Sequence, residues 1–293
     1  MKLLVTGGKG QLGCQLKYII EKNSSDIGEL DGRFKNCQCK FIDYDELDIT
    51  NYNEVISFIT SFKPDVVINC AAFTNVDGCE SERDIAFKVN TIGPRNLAIA
   101  CEKYDAKLLH VSTDYVFNGE GIVPFKEYDI PHPVSVYGKT KLMGEQYVRE
   151  NCNRYFIVRT AWLYGQWGKN FVHTIMKAAK EKGHLDVVED QIGNPTYAED
   201  LAHHILKIIL TDEYGIYHCT GNGECSWYDF ACKIIEYSGI ECTVSPITSD
   251  KINRAAKRPA YSSLDNMMLR AISEDEMRHW QEALMSFIEK LNS

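Results

Sequence analysis

The feature that most constrains this chain is a glycine-rich segment, Gly7-Gly8-Lys9-Gly10-Gln11-Leu12-Gly13, directly after a short apolar run at residues 2–6. Glycines let a backbone turn tightly and approach a phosphate closely, and the start of a following helix offers free N–H groups and positive potential. The segment fits Gly-x-Gly-x-x-Gly from Gly8 and Gly-x-x-Gly-x-x-Gly from Gly7. A strand-to-helix turn that binds nothing is the alternative, since a lone match is weak. The strand before it and the helix after it favour a dinucleotide site.

Short runs rich in β-branched residues alternate with longer helical patterns along the chain. Strands are predicted at residues 2–6, 41–42, 65–69, 107–112, 155–159 and 185–188, and helices at 11–21, 51–62, 86–104, 171–181, 199–210, 227–237 and 274–291. Strands that are apolar on both faces indicate a parallel sheet covered by helices. We predict an α/β fold: a Rossmann-type doubly wound parallel sheet at 1–160, and a smaller substrate-binding region at 161–293 interleaved with it. The polar segment 23–36 predicts a surface loop.

Composition narrows the classes of partner. The formal net charge of −9 argues against nucleic acid, whose non-specific binding requires positive charge. The chain has no apolar run long enough for a bilayer, and its first residues lack the apolar stretch of a signal peptide, so we expect a cytoplasmic protein without a membrane partner. The 11 cysteines include no Cys-x-x-Cys pair, which favours free thiols in a reducing compartment over a zinc site.

Further segments are predicted to line a cofactor. Asp43 follows the second strand, where an acid accepts hydrogen bonds from the ribose 2′-hydroxyl and repels a 2′-phosphate, so NADH is slightly favoured over NADPH. The small side chains of Ala71 and Ala72, after the third strand, let a cofactor approach the backbone, and Asn90 offers a hydrogen bond to backbone nearby. The structural alternatives are an exposed turn aspartate, tight packing and a helix-internal hydrogen bond.

A catalytic group is predicted around Tyr137 and Lys141, which share a helix face because they are four residues apart. A phenol can protonate a developing alkoxide, and a nearby ammonium is expected to lower the phenol's pKa. Such a pair is common on exposed helices and means little alone. Thr113, however, ends the fourth strand, and ligands of parallel sheets bind beyond the carboxyl ends of strands. We therefore expect Thr113, Tyr137 and Lys141 to meet in one crevice.

Taken together, these motifs resemble the dTDP-4-dehydrorhamnose reductase family of extended short-chain dehydrogenases. The resemblance runs nearly end to end through Gly10-Gln11-Leu12-Gly13, Pro64-Asp65-Val66-Val67-Ile68-Asn69, Thr74-Asn75-Val76-Asp77, Ser112-Thr113-Asp114-Tyr115-Val116-Phe117, Tyr137-Gly138-Lys139-Thr140-Lys141-Leu142, Arg159-Thr160-Ala161-Trp162, Asp190-Gln191-Ile192-Gly193-Asn194-Pro195-Thr196 and Arg258-Pro259. It implies reduction of the 4-keto group of dTDP-4-dehydro-L-rhamnose by NADPH or NADH, with dTDP-L-rhamnose as product.

The resemblance also implies roles for individual residues. The catalytic residues would be Thr113, Tyr137 and Lys141. The cofactor contacts, including those inferred above, would be Gly7, Gly10, Gln11, Leu12, Asp43, Asp48, Ile49, Ala71, Ala72, Thr74, Asn90, Tyr137 and Lys141. Tyr115 and Trp162 would face the sugar, with Trp162 an apolar platform for a ring that carries a methyl group. The other predicted nucleotide-sugar contacts are Thr113, Asp114, Asn170, Gln191 and Arg258; for the last three, the alternative is a structural polar residue.

Two positions refine the expectation. Related sugar dehydratases commonly carry an acid two residues after the threonine, and Tyr115 there disfavours dehydration. Some family members dimerise through magnesium held by glutamates, one of which corresponds to Gln15, and an amide is a poorer magnesium ligand. We therefore predict no metal site, while a magnesium requirement and a homodimer are left open. The alternatives are another nucleotide-sugar reductase or epimerase of this fold, and a non-catalytic dinucleotide-binding regulatory subunit.

Overall fold

The computed structural model describes residues 1–272 and 274–292. Its strands are β1 (Lys2–Thr6), β2 (Ser24–Ser25), β3 (Gly28–Glu29), β4 (Gln38–Ile42), β5 (Val66–Asn69), β6 (Lys107–Thr113), β7 (Tyr155–Thr160), β8 (Leu163–Tyr164), β9 (His184–Val188), β10 (Ile192–Gly193), β11 (Thr196–Tyr197), β12 (Gly215–His218), β13 (Cys225–Ser226) and β14 (Thr243–Ile247). Its helices are α1 (Gln11–Lys22), α2 (Tyr52–Phe62), α3 (Val76–Ser81), α4 (Arg83–Phe87), α5 (Gly93–Lys103), α6 (Val136–Asn151), α7 (Phe171–Lys182), α8 (Ala198–Ile208), α9 (Trp227–Ser238), α10 (Met267–Ala271) and α11 (Trp280–Asn292).

The central sheet has six parallel strands in the order β12-β7-β6-β5-β1-β4. Helices cover both faces, because the sheet's side chains are apolar on both sides. On one face Leu16 of α1 packs with Leu201 and Ile205 of α8, and on the other Val55 of α2 packs with Leu97 of α5. The predicted Rossmann-type doubly wound parallel sheet is confirmed.

The sheet's sixth strand differs from the expectation. The predicted strand at 185–188 forms as β9, but it pairs with β14 in a separate two-stranded sheet. The edge of the main sheet is instead β12, which pairs in parallel with β7. The four residues of β12 are too few to give a periodicity, so the pairing with β7 decides their conformation. The second half of the chain thus contributes a strand to the sheet of the first half.

Helix boundaries agree with the predictions except in two places. The single helix expected at 86–104 is built from α4, a π-helical turn at Lys88–Ile92 and α5. The helix expected from residue 274 begins only at Trp280. Lys207 of α8 binds both Glu274 and Glu276, and the Glu276 N–H donates to His204, so contacts with α8 hold this acidic segment extended. In the described part of the chain, no helix has both the length and the apolar character needed to cross a bilayer.

Candidate active site

A cavity of about 750 Å³ opens where the carboxyl ends of β1, β4, β5, β6 and β7 meet. Its volume suits a bound small molecule of dinucleotide size. The predicted residues that line it are Gly7, Gly10, Gln11, Leu12, Asp43, Asp48, Ile49, Ala71, Ala72, Thr74, Thr113, Asp114, Tyr115, Tyr137, Lys141 and Trp162. The structure therefore brings the glycine turn, the acid after β4 and the three predicted catalytic side chains to one place.

The glycine turn is shaped for close approach. Gly7 has a φ of +69°, and a Cβ there would lie 2.7 Å from the Ala71 nitrogen, so only glycine fits between β1 and the segment after β5. Gly10 precedes α1, and no side chain caps this helix. Because the first N–H groups of an uncapped helix have no intrahelical partner, they are available to a phosphate at the cavity wall.

The acid after β4 is held by the same turn. An Asp43 carboxylate oxygen accepts a hydrogen bond from the Lys9 backbone N–H at 3.1 Å. The Lys9 side chain points to Asp45, with 2.8 Å between the ammonium and the carboxylate. A cation and an acid therefore stand side by side at the position where the sequence predicts the adenosine ribose.

The predicted catalytic side chains lie on two elements that approach very closely. Thr113 ends β6, and Tyr137 and Lys141 lie on the first turns of α6. A Cβ at Gly138 would collide with the Tyr115 carbonyl oxygen, so a glycine here lets α6 pack against the turn after β6. The Tyr137 ring meets the Tyr115 ring edge-on, with 5.5 Å between centroids, and its hydroxyl is hydrogen-bonded with Thr113.

The electrostatics of this group differ from the expectation. Withdrawal from water raises the pKa of Tyr137 above its ordinary value, and the hydrogen bond with Thr113 offsets this only in part. Burial also lowers the pKa of Lys141 to about 8, against the attraction of Glu145. The expected lowering of the phenol's pKa is therefore wrong, because the desolvation of Tyr137 outweighs the hydrogen bond that favours its phenolate.

Asp114 lies beside Thr113 at the bottom of the cavity. One carboxylate oxygen accepts a hydrogen bond from the Thr113 hydroxyl at 2.9 Å, while the other is buried without a partner among the described residues. Burial raises the pKa of Asp114 to about 6. A buried carboxyl of this kind is suited to accept a hydrogen bond from a ligand hydroxyl.

An aromatic pair forms part of the cavity wall. Trp162 follows β7 with a φ of +47°, which is unusual for a large side chain, and it stacks on Trp227 with 3.5 Å between ring centroids. Trp227 and Lys169 also line the cavity but were not predicted. Trp227 lies far along the chain in α9, and no motif links the two tryptophans; Lys169 directly precedes the predicted Asn170 and could have been considered with it.

Four predicted contacts do not line the cavity. The Asn90 amide is fully buried and is occupied by both backbone groups of Phe73 and by the Thr140 hydroxyl. Asn170 caps α7 and donates to the Gln11 side chain at 3.1 Å. Gln191 is buried just before β10. Arg258 pairs with Asp77 at 2.8 Å and lies 6.0 Å from the centre of the Tyr115 ring.

The surroundings of Gln15 do not suit a magnesium ion. The Gln15 amide nitrogen donates to Glu199 at 3.3 Å, and the Lys290 ammonium lies 2.9 Å from the same carboxylate. Lys290 also pairs with Asp26, so a fixed ammonium supplies the positive charge here. Throughout residues 1–272 and 274–292, no cluster of three or more His, Cys, Asp or Glu side chains could hold a metal ion.

Known proteins match this chain over its whole length. The family model described as the RmlD substrate binding domain matches residues 1–293. The dTDP-4-dehydrorhamnose reductase of Aggregatibacter actinomycetemcomitans is 42% identical over 97% of both chains. The solved dTDP-4-dehydrorhamnose reductase of Clostridium acetobutylicum is 46% identical with a TM-score of 0.94 over 100% of both chains. That of Bacillus anthracis, in complex with NADP, is 42% identical with a TM-score of 0.91 over 99% of both.

Proposed function

This chain belongs to the family described by the RmlD substrate binding domain, and from that premise we propose that it reduces the 4-keto group of a nucleotide-linked deoxysugar. It is an NAD(P)H-dependent oxidoreductase, and its substrate is dTDP-4-dehydro-L-rhamnose, which it converts to dTDP-L-rhamnose. The observation that carries the proposal is that Thr113, Tyr137 and Lys141 line the same cavity as the glycine turn. The names of the relatives support the choice of sugar.

The chemistry divides between the cofactor and the chain. When bound, the reduced nicotinamide supplies the hydride that goes to the carbonyl carbon. Tyr137 gives its phenolic proton to the carbonyl oxygen, so the ketone becomes a secondary alcohol and Tyr137 is left as a phenolate. The raised pKa of Tyr137 serves this direction of reaction, because it keeps the proton on the phenol until a more basic alkoxide develops.

Residues around the cavity bind and orient the reactants. We assign the diphosphate of the cofactor to the N–H groups of Gln11 and Leu12 at the start of the uncapped helix α1, beside Gly10, whose own N–H donates to the Gly7 carbonyl. Lys141 is assigned to the nicotinamide ribose. Thr113 and Asp114 hold the sugar near its reacting carbon. Asp48, Ile49 and the segment Ala71–Thr74 complete the cofactor side.

Cofactor preference depends on Asp43 and Lys9. The Asp43 carboxylate favours a ribose hydroxyl over a phosphate, which supports the slight preference for NADH. The Lys9 ammonium, which pairs with Asp45, is an exposed cation within the same turn and can form an ion pair with a 2′-phosphate. We therefore propose that the enzyme uses both NADH and NADPH. The complex of the Bacillus anthracis relative with NADP supports the use of the phosphorylated cofactor.

The sugar side of the cavity is proposed to depend on the stacked tryptophans. A flat indole is an apolar surface for a methyl-bearing ring, and Trp162 is held in place by Trp227. Arg258, which lies 6.0 Å from the centre of the Tyr115 ring, is retained with Asn170 and Gln191 as a proposed nucleotide-sugar contact on the strength of the sequence alone. We further propose a cytoplasmic enzyme that needs no magnesium, and a homodimer as the state to test.

The test is a substrate panel. Purified protein receives dTDP-, UDP- and GDP-linked 4-keto sugars with NADH or NADPH, and loss of nicotinamide absorbance is followed with Tyr137→Phe as a control. Oxidation of either cofactor with dTDP-4-dehydro-L-rhamnose, and not with the variant, supports the proposal. Turnover of a different sugar only would identify another reductase. Cofactor binding with no cofactor oxidation by any sugar would overturn the proposal in favour of an epimerase or a regulatory subunit.

A further inference from the structure

A row of buried polar side chains leads from the proposed active site into the sheet. The Lys141 ammonium nitrogen lies 3.4 Å from His110 Nε2 and donates to the Val111 carbonyl at 2.6 Å. On its other side, His110 Nδ1 lies 2.9 Å from the Asn69 amide nitrogen. His110 is fully buried in β6, so its ring has no access to water. The proposed function leaves this histidine without a role.

The hydrogen bonds of Asn69 fix the proton on the imidazole. The Asn69 oxygen accepts from the Thr6 hydroxyl at 2.7 Å and from the Ala71 backbone N–H at 3.2 Å. A backbone N–H can only donate, so the atom facing it must be the oxygen, and the amide nitrogen must face His110. That nitrogen donates to Nδ1, which leaves the single proton of a neutral imidazole on Nε2. His110 is neutral because its complete burial holds its pKa well below the usual range.

The Nε2–H of His110 therefore points at the Lys141 nitrogen. An ammonium has no lone pair to accept this hydrogen bond, whereas a neutral amine accepts it and still donates to the Val111 carbonyl. The other groups that bear on the charge of Lys141 are Glu145 on the same helix and the Cys70 thiol after β5. Glu145 attracts the ammonium but is itself occupied by Arg159 and Ser112. Of these neighbours, the imidazole is therefore the one whose hydrogen-bond geometry favours the neutral amine of Lys141.

We propose that His110 is a positioning residue that directs its Nε2–H at Lys141 and so stabilises the neutral amine left when Lys141 returns a proton to Tyr137. This rests on the proposed function. After each reduction the Tyr137 phenolate takes one proton from the Lys141 ammonium, which restores the phenol and leaves an amine bonded to His110. Solvent protons then recharge the lysine. A lysine without this donor would hold its proton more firmly and return it more slowly.

The first experiment needs no turnover. In protein labelled with ¹⁵N, the ring nitrogens of His110 are assigned by their loss in His110→Gln, and their chemical shifts report the tautomer. The expected result is a neutral ring protonated at Nε2. A ring protonated at Nδ1, or a charged ring at neutral pH, overturns the proposal whether or not the protein reduces any sugar.

The second experiment follows the charge of Lys141. Its ¹³Cε resonance, assigned with Lys141→Met, is titrated in the cofactor-free protein, and the alkaline fall of kcat is measured in parallel. In His110→Gln the amide oxygen can accept from the ammonium, so both midpoints should rise by about one pH unit. His204→Gln is the matched control, because His204 is equally buried, in α8, and its ring hydrogen bonds go to the Asp200 carbonyl and the Glu276 N–H, neither of which acts on Lys141.

The outcomes separate this proposal from the proposed function. A shift of the Lys141 titration in His110→Gln but not in His204→Gln supports it, even if no sugar of the panel is turned over. Equal shifts in both variants, or none in a folded His110→Gln, overturn it while leaving the reductase assignment untouched.

Discussion

Replacing Tyr137 by phenylalanine removes one oxygen from the cavity and retains the ring. The edge-on contact with Tyr115, at 5.5 Å between centroids, needs only the ring, and Thr113 keeps its hydrogen bond to Asp114. The cost to folding is that of one hydrogen bond, about 1 kcal/mol. The variant should therefore fold normally and bind cofactor with little change in affinity.

The effect on turnover should be much larger. Positioned proton donors contribute about 10²–10⁴-fold to rate, which corresponds to roughly 2.7–5.5 kcal/mol of barrier. We expect kcat to fall by this factor, since without the phenol the alkoxide must take its proton from elsewhere. The assay follows nicotinamide absorbance with saturating cofactor, and a fluorescence titration measures cofactor affinity separately. A fall in kcat of less than about tenfold, in a variant that binds cofactor normally, would refute the role of Tyr137 as proton donor.

Four other predictions concern stability, cofactor choice and metal. Glu145→Gln should lower the free energy of unfolding in urea by about 3–5 kcal/mol, because Arg159, 2% exposed, would lose its charged partner at 2.7 Å; a change within 1 kcal/mol or so would contradict this. Asp43→Ala should raise the ratio of kcat/KM for NADPH to that for NADH by roughly tenfold, and an unchanged ratio would remove Asp43 from cofactor selection. Burial lowers the pKa of His203 to about 4 and of His218 to about 3, against 6.5 when unfolded, so the unfolded chain binds more protons below pH 6.5. Stability should thus be highest above pH 6.5 and fall towards pH 4, by up to about 1.4 kcal/mol per pH unit for each histidine, and a flat urea midpoint across that range would argue against it. Exhaustive treatment with a chelator should leave activity unchanged, whereas a large loss restored by magnesium would show a metal requirement.

Prediction of the fold and the site from the sequence succeeds best where the conformation of a short segment depends mainly on its own residues. The glycine turn, the parallel strands and the spacing of Tyr137 and Lys141 on α6 all follow from local pattern. Their meeting in one cavity follows from a general rule, since ligands of parallel sheets bind at the carboxyl ends of strands. For this reason sixteen of the predicted site residues line the cavity.

The remaining features depend on contacts between distant segments. The backbone pairing of β12 with β7 and the stacking of Trp227 on Trp162 join residues that no motif connects. The Asn90 amide is hydrogen-bonded to the Phe73 backbone, a contact that the sequence around Asn90 does not indicate. The raised pKa of Tyr137 is a property of the folded cavity, because desolvation exists only once the surrounding elements have assembled.

The place of β12 at the edge of the sheet has a consequence for engineering. A chain cut after β7 would lose the partner of that strand's outer backbone groups, and the removal of α8 would uncover Leu16 and Ile19 on α1. The halves of this protein are therefore not independent modules, and a fragment that ends near residue 160 should aggregate. A change of sugar preference is better engineered by replacing the short segments around Trp162 and Trp227. Such a replacement leaves all six strands of the central sheet unchanged.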